Sequence, residues 1–198
     1  MNARHYTAFG MLGAAVRIFS ILLFILASKQ FLGMKYNYYL YVALPVVISQ
    51  LLYALYAYNY TKHQRYGRFV NTLSKQFFVL SLVVCLITLF DMDMVIFAPV
   101  QGVYGIVFTA LIWNISGYVH NNVQKRGKIN IAKGFLILSV PAFVLAVPLY
   151  YAGQEDWMQL CFSAGYCFLF VSLSVLYSLL KYRKKDKAKE LKEKVPEA

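Results

Sequence analysis

The stretch MVIFAPVQGVYGIVFTALIWNISGYVHNNVQ, residues 94–124, decides the fold, because no other run in the chain is as long without Asp, Glu, Lys or Arg. A helix that crosses the hydrocarbon layer of a bilayer needs about 20 apolar residues, and this run exceeds that length. Proline is tolerated in a first helical turn, so Pro99 indicates where the spanning part starts. The pattern therefore predicts a membrane span over residues 100–118.

The side chains of this span fall on two opposite stripes when the helix is stepped at about 100° per residue. One stripe is small and polar, and the other is bulky and apolar. The first holds Gly102, Gly105, Thr109, Trp113, Ser116 and His120, and the second holds Tyr104, Val107, Phe108, Leu111, Ile115 and Tyr118. Small and polar residues are typical of interfaces between membrane helices. We therefore expect the first stripe to be buried, and Val107, Leu111 and Ile115 to face lipid.

The composition excludes an ordinary soluble protein. The chain has 198 residues, of which 60% are hydrophobic and 14% are charged, whereas soluble domains have about 25% charged residues. The net charge of +12 could indicate a nucleic-acid partner in a soluble protein. Here the basic residues concentrate in short connections and in the tail, which is the pattern of membrane topology, so we expect no nucleic-acid binding.

Six apolar runs separated by polar connections predict an all-α, polytopic bundle of six transmembrane helices. The predicted spans cover about residues 10–33, 37–60, 71–90, 100–118, 134–152 and 157–180, and a basic tail follows over 181–198. Basic residues favour the cytosolic side. With both termini in the cytosol, only Lys29 and Lys35 among the 20 Lys and Arg lie outside. We expect an integral protein of the cell (inner) membrane whose tail attracts anionic lipid.

Two basic residues, Arg17 and Lys29, interrupt the first apolar run. They are separated by about 18 Å along a helix, so each side chain is expected to extend to the nearer membrane interface. Lys29 is predicted to lie at the level of Asp91 and Asp93 and to pair with one of them. A cleaved signal peptide with residues 18–27 as its apolar part is the alternative, although its leader is long and its cleavage site is poor.

The sequence holds no motif that assigns a chemistry. Cys85, Cys161 and Cys167 lie inside apolar runs without metal-ligand spacing, so we expect them to be buried free thiols that fill space. Hydrolase, phosphate-loop and dinucleotide motifs are missing. We therefore predict no catalytic residues, no metal site and no cofactor.

Two groups of residues are candidates for specific roles inside the membrane. Uncharged polar residues at depth are expected to bond neighbouring helices, and these are Gln50, Thr109, Asn114 and Ser139. An aromatic, partly polar set on the second and fourth spans is a candidate ligand site open to the cytosol. It consists of Trp113, His120, Tyr53, Tyr56 and Asn59. A packed interior filled by aromatic rings is the alternative interpretation of the same residues.

Three classes of function remain compatible with these observations. The first is a small-molecule transporter or a substrate-binding membrane subunit. The second is a non-catalytic accessory or assembly subunit that binds a membrane-protein partner through its small-residue faces. The third is an interfacial lipid-modifying enzyme, which would need His63 or His120 as its acid or base.

Overall fold

The computed structural model describes residues 3–28, 43–62, 67–89, 94–121 and 126–193. These residues form six helices: α1 (Ala3–Ser28), α2 (Leu44–Lys62), α3 (Arg68–Leu89), α4 (Met94–Asn121), α5 (Arg126–Tyr151) and α6 (Glu155–Glu193). The predicted all-helical architecture is confirmed over these ranges. Lys29, Asp91 and Asp93 lie outside the described residues, so their predicted ion pair stays a prediction.

Five of the helices contain segments that are long and apolar enough to cross a membrane. These segments are His5–Leu26, Arg68–Leu89, Pro99–Gly117, Gly127–Tyr151 and Glu155–Leu180. They identify the chain as an integral membrane protein.

The six helices form a closed ring in which each helix packs against the next and α1 packs against α6. Side-chain contacts show that neighbours run antiparallel. Between α4 and α5, for example, Thr109 bonds Ser139 at 3.0 Å, and farther along Lys133 lies over the ring of Trp113. Between α1 and α2, the backbone position of Gly10 is close to Tyr56 and that of Gly13 is close to Tyr53.

Helix α4 is the most enclosed of the apolar helices, because its side chains contact α1, α2 and α6 in addition to its two ring neighbours. Within Pro99–Gly117, 56% of the spanning window is buried, against 28–39% in the other four segments. The predicted burial of Gly102, Gly105, Thr109 and Ser116 is confirmed.

The predicted lipid face of α4 is wrong. Leu111 and Ile115 are buried, and Val107 is half-buried. Since neighbouring helices cover both of the predicted stripes, the exposed part of α4 is a narrow strip that includes Val103, Ala110 and Trp113. Bulky apolar residues pack equally well against helices and against lipid chains, so their periodicity alone does not distinguish the two.

Close packing at α4 depends on one aromatic ring from α5. Phe143 is fully buried, and a Cβ atom built at Gly105 would lie 2.7 Å from its ring. A Cβ at Gly165 of α6 would lie 2.8 Å from the same ring. The two glycines therefore allow Phe143 to lie between α4 and α6, where any larger side chain would collide with it.

Local capping also stabilises the helix ends. Gly153 has a φ of 70° and follows the end of α5. Its amide donates to Tyr150, and the Gln154 amide donates to Leu149 at 2.9 Å, which is the bond pattern of a Schellman motif. At the end of α2, the side-chain amide of Asn71, on α3, donates to the Thr61 carbonyl at 2.6 Å.

The three cysteines differ in exposure. Cys85 is buried on α3, as expected for a thiol that fills space, and it lies on the buried stripe with Ser74, Ser81 and Thr88. Cys161 is half-buried and Cys167 is exposed on α6, so the expectation of burial is wrong for Cys167. That residue lies on the outer side of α6, whereas Phe162, Tyr166 and Leu169 form its inner side.

Candidate functional site

The α2 members of the predicted aromatic site lie in the interior of the bundle. Tyr53 and Tyr56 are fully buried, and Asn59 is 4% exposed. The Tyr53 ring lies 4.4 Å from the Phe108 ring, and the Tyr56 ring meets Phe108 edge-on at 5.7 Å. These residues therefore face α4 as expected, but the α4 side chain between them is Phe108.

Trp113 does not join this interior set. It is 38% exposed, and the Lys133 Nζ atom lies 5.1 Å from the centroid of its ring. The expected burial of Trp113 is wrong, because this residue is close to the end of the apolar segment and on the exposed strip of α4. Tryptophan is enriched at membrane interfaces, and a cation over its face adds about 0.5–1 kcal/mol at an exposed site. The His120 side chain lies outside the described part of the structure.

Arg17 lies at a position in the bundle that is unusual for a basic residue. It is 5% exposed and lies within the apolar segment His5–Leu26. The guanidinium group turns inward, and its Nη2 donates to Oε1 of Gln101 on α4. The expected extension of Arg17 to the membrane interface is therefore wrong.

Gln101 connects Arg17 to a third helix. It is 1% exposed, and its Oε1 also accepts a hydrogen bond from the Tyr166 hydroxyl of α6 at 3.4 Å. The Arg17 Cζ atom lies 5.4 Å from the centroid of the Tyr166 ring. Arg17 is thus held by an amide oxygen and an aromatic face, both of which are uncharged.

Two residues of α2 lie at the same depth. The Tyr53 and Tyr166 rings stack at 6.5 Å. Gln50 precedes Tyr53 by one helical turn and is fully buried. Because Gly13 of α1 packs on Ser49 and Tyr53, the antiparallel register brings the Arg17 level of α1 toward Gln50.

We define the polar cluster as Arg17, Gln50, Tyr53, Gln101 and Tyr166. Several of its buried polar atoms have no hydrogen-bond partner: Arg17 Nε, Gln101 Nε2, Tyr53 OH, and Nε2 and Oε1 of Gln50. A buried polar group without a partner costs about 1–3 kcal/mol. Most of these open atoms are donors, so the cluster is suited to bind a ligand that presents acceptors.

No carboxylate pairs with Arg17 among the residues that the structure describes. An arginine inside a membrane segment is costly, and it normally pairs with another group or marks a functional pathway. Arg17 is therefore a candidate member of a functional site.

The other polar residues at depth separate into two groups. Thr109 and Ser139 bond each other, which confirms their predicted role between helices, and Asn114 bonds the Ala110 carbonyl within its own helix. Gln50, in contrast, has no partner for either amide atom. Sequence reasoning grouped Gln50 with the others and omitted Gln101, because Gln101 lies close to the predicted start of the span.

The chain matches no known protein family, no curated protein and no solved structure. The function is therefore argued from its own residues. Within the described ranges, no group of three or more His, Cys, Asp or Glu residues could hold a metal ion.

Proposed function

We propose that this protein is a six-span protein of the cell (inner) membrane with both termini in the cytosol, and that it transports a small molecule or acts as a substrate-binding membrane subunit. The polar cluster would be its binding site. The single observation that carries this proposal is Arg17, a buried arginine inside a membrane segment whose hydrogen-bond partner is an uncharged amide.

The exposure of α2 supports its assignment as the sixth span. Its 19 residues reach about 28 Å, close to the hydrocarbon thickness of a bilayer. The exposed positions on it include Leu44, Ile48, Leu51 and Leu55, whereas Gln50 and Asn59 are buried. A helix that turns apolar residues outward and polar residues inward is suited to lipid even though its mean hydropathy is low.

The proposed topology predicts opposite labelling at two ends of α5. Single cysteines replace Gln154 and Gly127, both exposed, in a background without Cys85, Cys161 and Cys167. A thiol reagent that does not cross membranes should modify Gln154→Cys in intact cells, and Gly127→Cys only after permeabilisation, because basic connections stay in the cytosol. Labelling of both positions from the same side would contradict this arrangement.

The glycine positions leave the assembly alternative with few candidate surfaces. A subunit that recruits a partner through small residues needs those residues at its surface. In this chain Gly10 and Gly13 face Tyr56 and Tyr53, and Gly105 faces Phe143. Gly117 and Gly134 have open space around them, so a partner subunit would dock there. The enzyme alternative depends on His63 and His120, whose side chains lie outside the described residues.

Access from water gives a test that needs no knowledge of the substrate. A transporter or substrate-binding subunit must admit its ligand to the polar cluster, so a cysteine at Gln50 should react with a small water-soluble thiol reagent. Ala146→Cys is the matched control, because Ala146 is equally buried but apolar. We expect Gln50→Cys to react and Ala146→Cys to stay unmodified. An unreactive Gln50→Cys, in a protein whose Gln154→Cys reacts, would contradict a water-accessible site.

A further inference from the structure

We propose that the polar cluster binds a monoanionic organic acid, with the carboxylate held at Arg17 and the apolar body held against the neighbouring aromatic rings. This inference rests on the proposed small-molecule function and adds the chemical class of the ligand.

The charge of Arg17 points to an anion. A guanidinium stays protonated in proteins, so burial does not neutralise it. Its contacts within the described ranges, the Gln101 oxygen and the Tyr166 ring, carry no formal charge. A bound anion would compensate the cation, whereas a neutral ligand would leave it uncompensated. Since Arg17 supplies one positive charge and no other charged side chain belongs to the cluster, a single negative charge is the best match.

The open donors fit a carboxylate group. Arg17 Nε and Gln101 Nε2 belong to side chains that already touch each other through Nη2 and Oε1, and both lack a partner. The Tyr53 hydroxyl is a third donor without a partner. Two carboxylate oxygens offer about four acceptor positions, and the planar fork of arginine matches their geometry. The cluster therefore offers both the charge and the number of donors that one carboxylate requires.

The surroundings favour an apolar body. The Tyr53 ring lies 6.0 Å from the Tyr104 ring and 4.4 Å from the Phe108 ring, and Phe77 lies against both Tyr104 and Phe108. The Tyr104 hydroxyl is already bonded to Ser81 at 3.0 Å. A second anionic group on the ligand would meet these uncharged rings without a cation, so dianions fit the cluster poorly.

Benzoate and benzamide form a matched pair of probes, because they share a ring and differ in the charge of one group. Thermal unfolding is followed in lipid nanodiscs at constant ionic strength, with the wild type, Arg17→Gln, Arg17→Lys and Lys133→Gln. Benzoate should raise the unfolding temperature of the wild type. It should do the same for Lys133→Gln, because the cation that this variant lacks lies on the outside of the bundle, away from the polar cluster. Benzamide should not. Loss of the charged hydrogen bonds should weaken benzoate binding to Arg17→Gln roughly tenfold to a hundredfold.

Arg17→Lys keeps the charge without the planar fork, so its affinity for benzoate should fall between those of the wild type and Arg17→Gln. It also serves as the second variant if Arg17→Gln does not fold. Equal stabilisation by benzoate and benzamide, an undiminished benzoate effect in both Arg17 variants, or no effect of benzoate on the wild type would overturn the anion assignment. The reactivity of Gln50→Cys then shows separately whether the small-molecule function itself survives.

Discussion

Replacing Gly105 with leucine is expected to disrupt the bundle, because the position has no room for a side chain. A Cβ atom there would lie 2.7 Å from three atoms of the Phe143 ring, which is closer than atoms pack. Phe143 cannot move away easily, since Gly165 of α6 lies against the same ring. Overpacking of a filled core costs about 1–3 kcal/mol and occasionally more. Since leucine adds three further heavy atoms beyond the Cβ, we expect at least about 3 kcal/mol, or no folded protein.

Val103→Leu is the matched control, because Val103 lies on the same helix and is 56% exposed. It should change the stability by about 0.5 kcal/mol or less. A second variant, Phe143→Ala, leaves a cavity and should cost about 3–5 kcal/mol by itself. In the double variant the new leucine has space, so the two costs should not add, and the coupling should be about 1–3 kcal/mol. Chemical unfolding in detergent micelles measures the free energy of unfolding of all four variants. Purely additive costs of Gly105→Leu and Phe143→Ala would show that the two residues do not pack as described.

The periodic features of single helices could be predicted from the sequence where one face alone is buried. On α3, the residues Ser74, Ser81, Cys85 and Thr88 recur at helical spacing, and all four are buried. The small stripe of α4 is also buried as predicted. The prediction for the opposite stripe was wrong because α4 contacts helices beyond its two ring neighbours, and the number of neighbours depends on how the whole ring closes. No pattern within one helix carries that information.

The candidate site was only partly predictable for a related reason. Tyr53 and Asn59 were identified because polar and aromatic residues recur along α2, and both are buried. Arg17 was misplaced because its long basic side chain was expected to extend to a membrane interface, whereas it turns inward to Gln101. A charged residue inside an apolar run is itself a signal of function, and that signal was available. The hydrogen bond between Arg17 and Gln101 could not be predicted, because it joins residues that are 84 positions apart.

Arg17→Met is expected to make the ligand-free protein more stable and to remove its response to benzoate. Burying a charge costs several kcal/mol, whereas a hydrogen bond to a charged group returns about 1.5–3 kcal/mol. Methionine avoids the cost of charge burial and fills much of the same volume. The Gln101 oxygen keeps the Tyr166 hydroxyl as a donor, so it is not left without a partner. We therefore expect Arg17→Met to raise the free energy of unfolding by about 1 kcal/mol or more. Such a gain is expected where a protein keeps a destabilising residue for its function.

The measurement is unfolding in nanodiscs without any added ligand, with Lys133→Met as the control. Lys133 contributes a cation over Trp113 at the outer surface, so its removal should cost about 0.5–1 kcal/mol. The two substitutions remove the same charge, and the opposite signs of their effects distinguish a buried uncompensated cation from an interfacial one. If Arg17→Met destabilises the protein more than Lys133→Met does, then Arg17 serves mainly to join α1 to α4 through Gln101. The open donors around it would then be a by-product of packing, and the assignment of a binding site would lose its principal support.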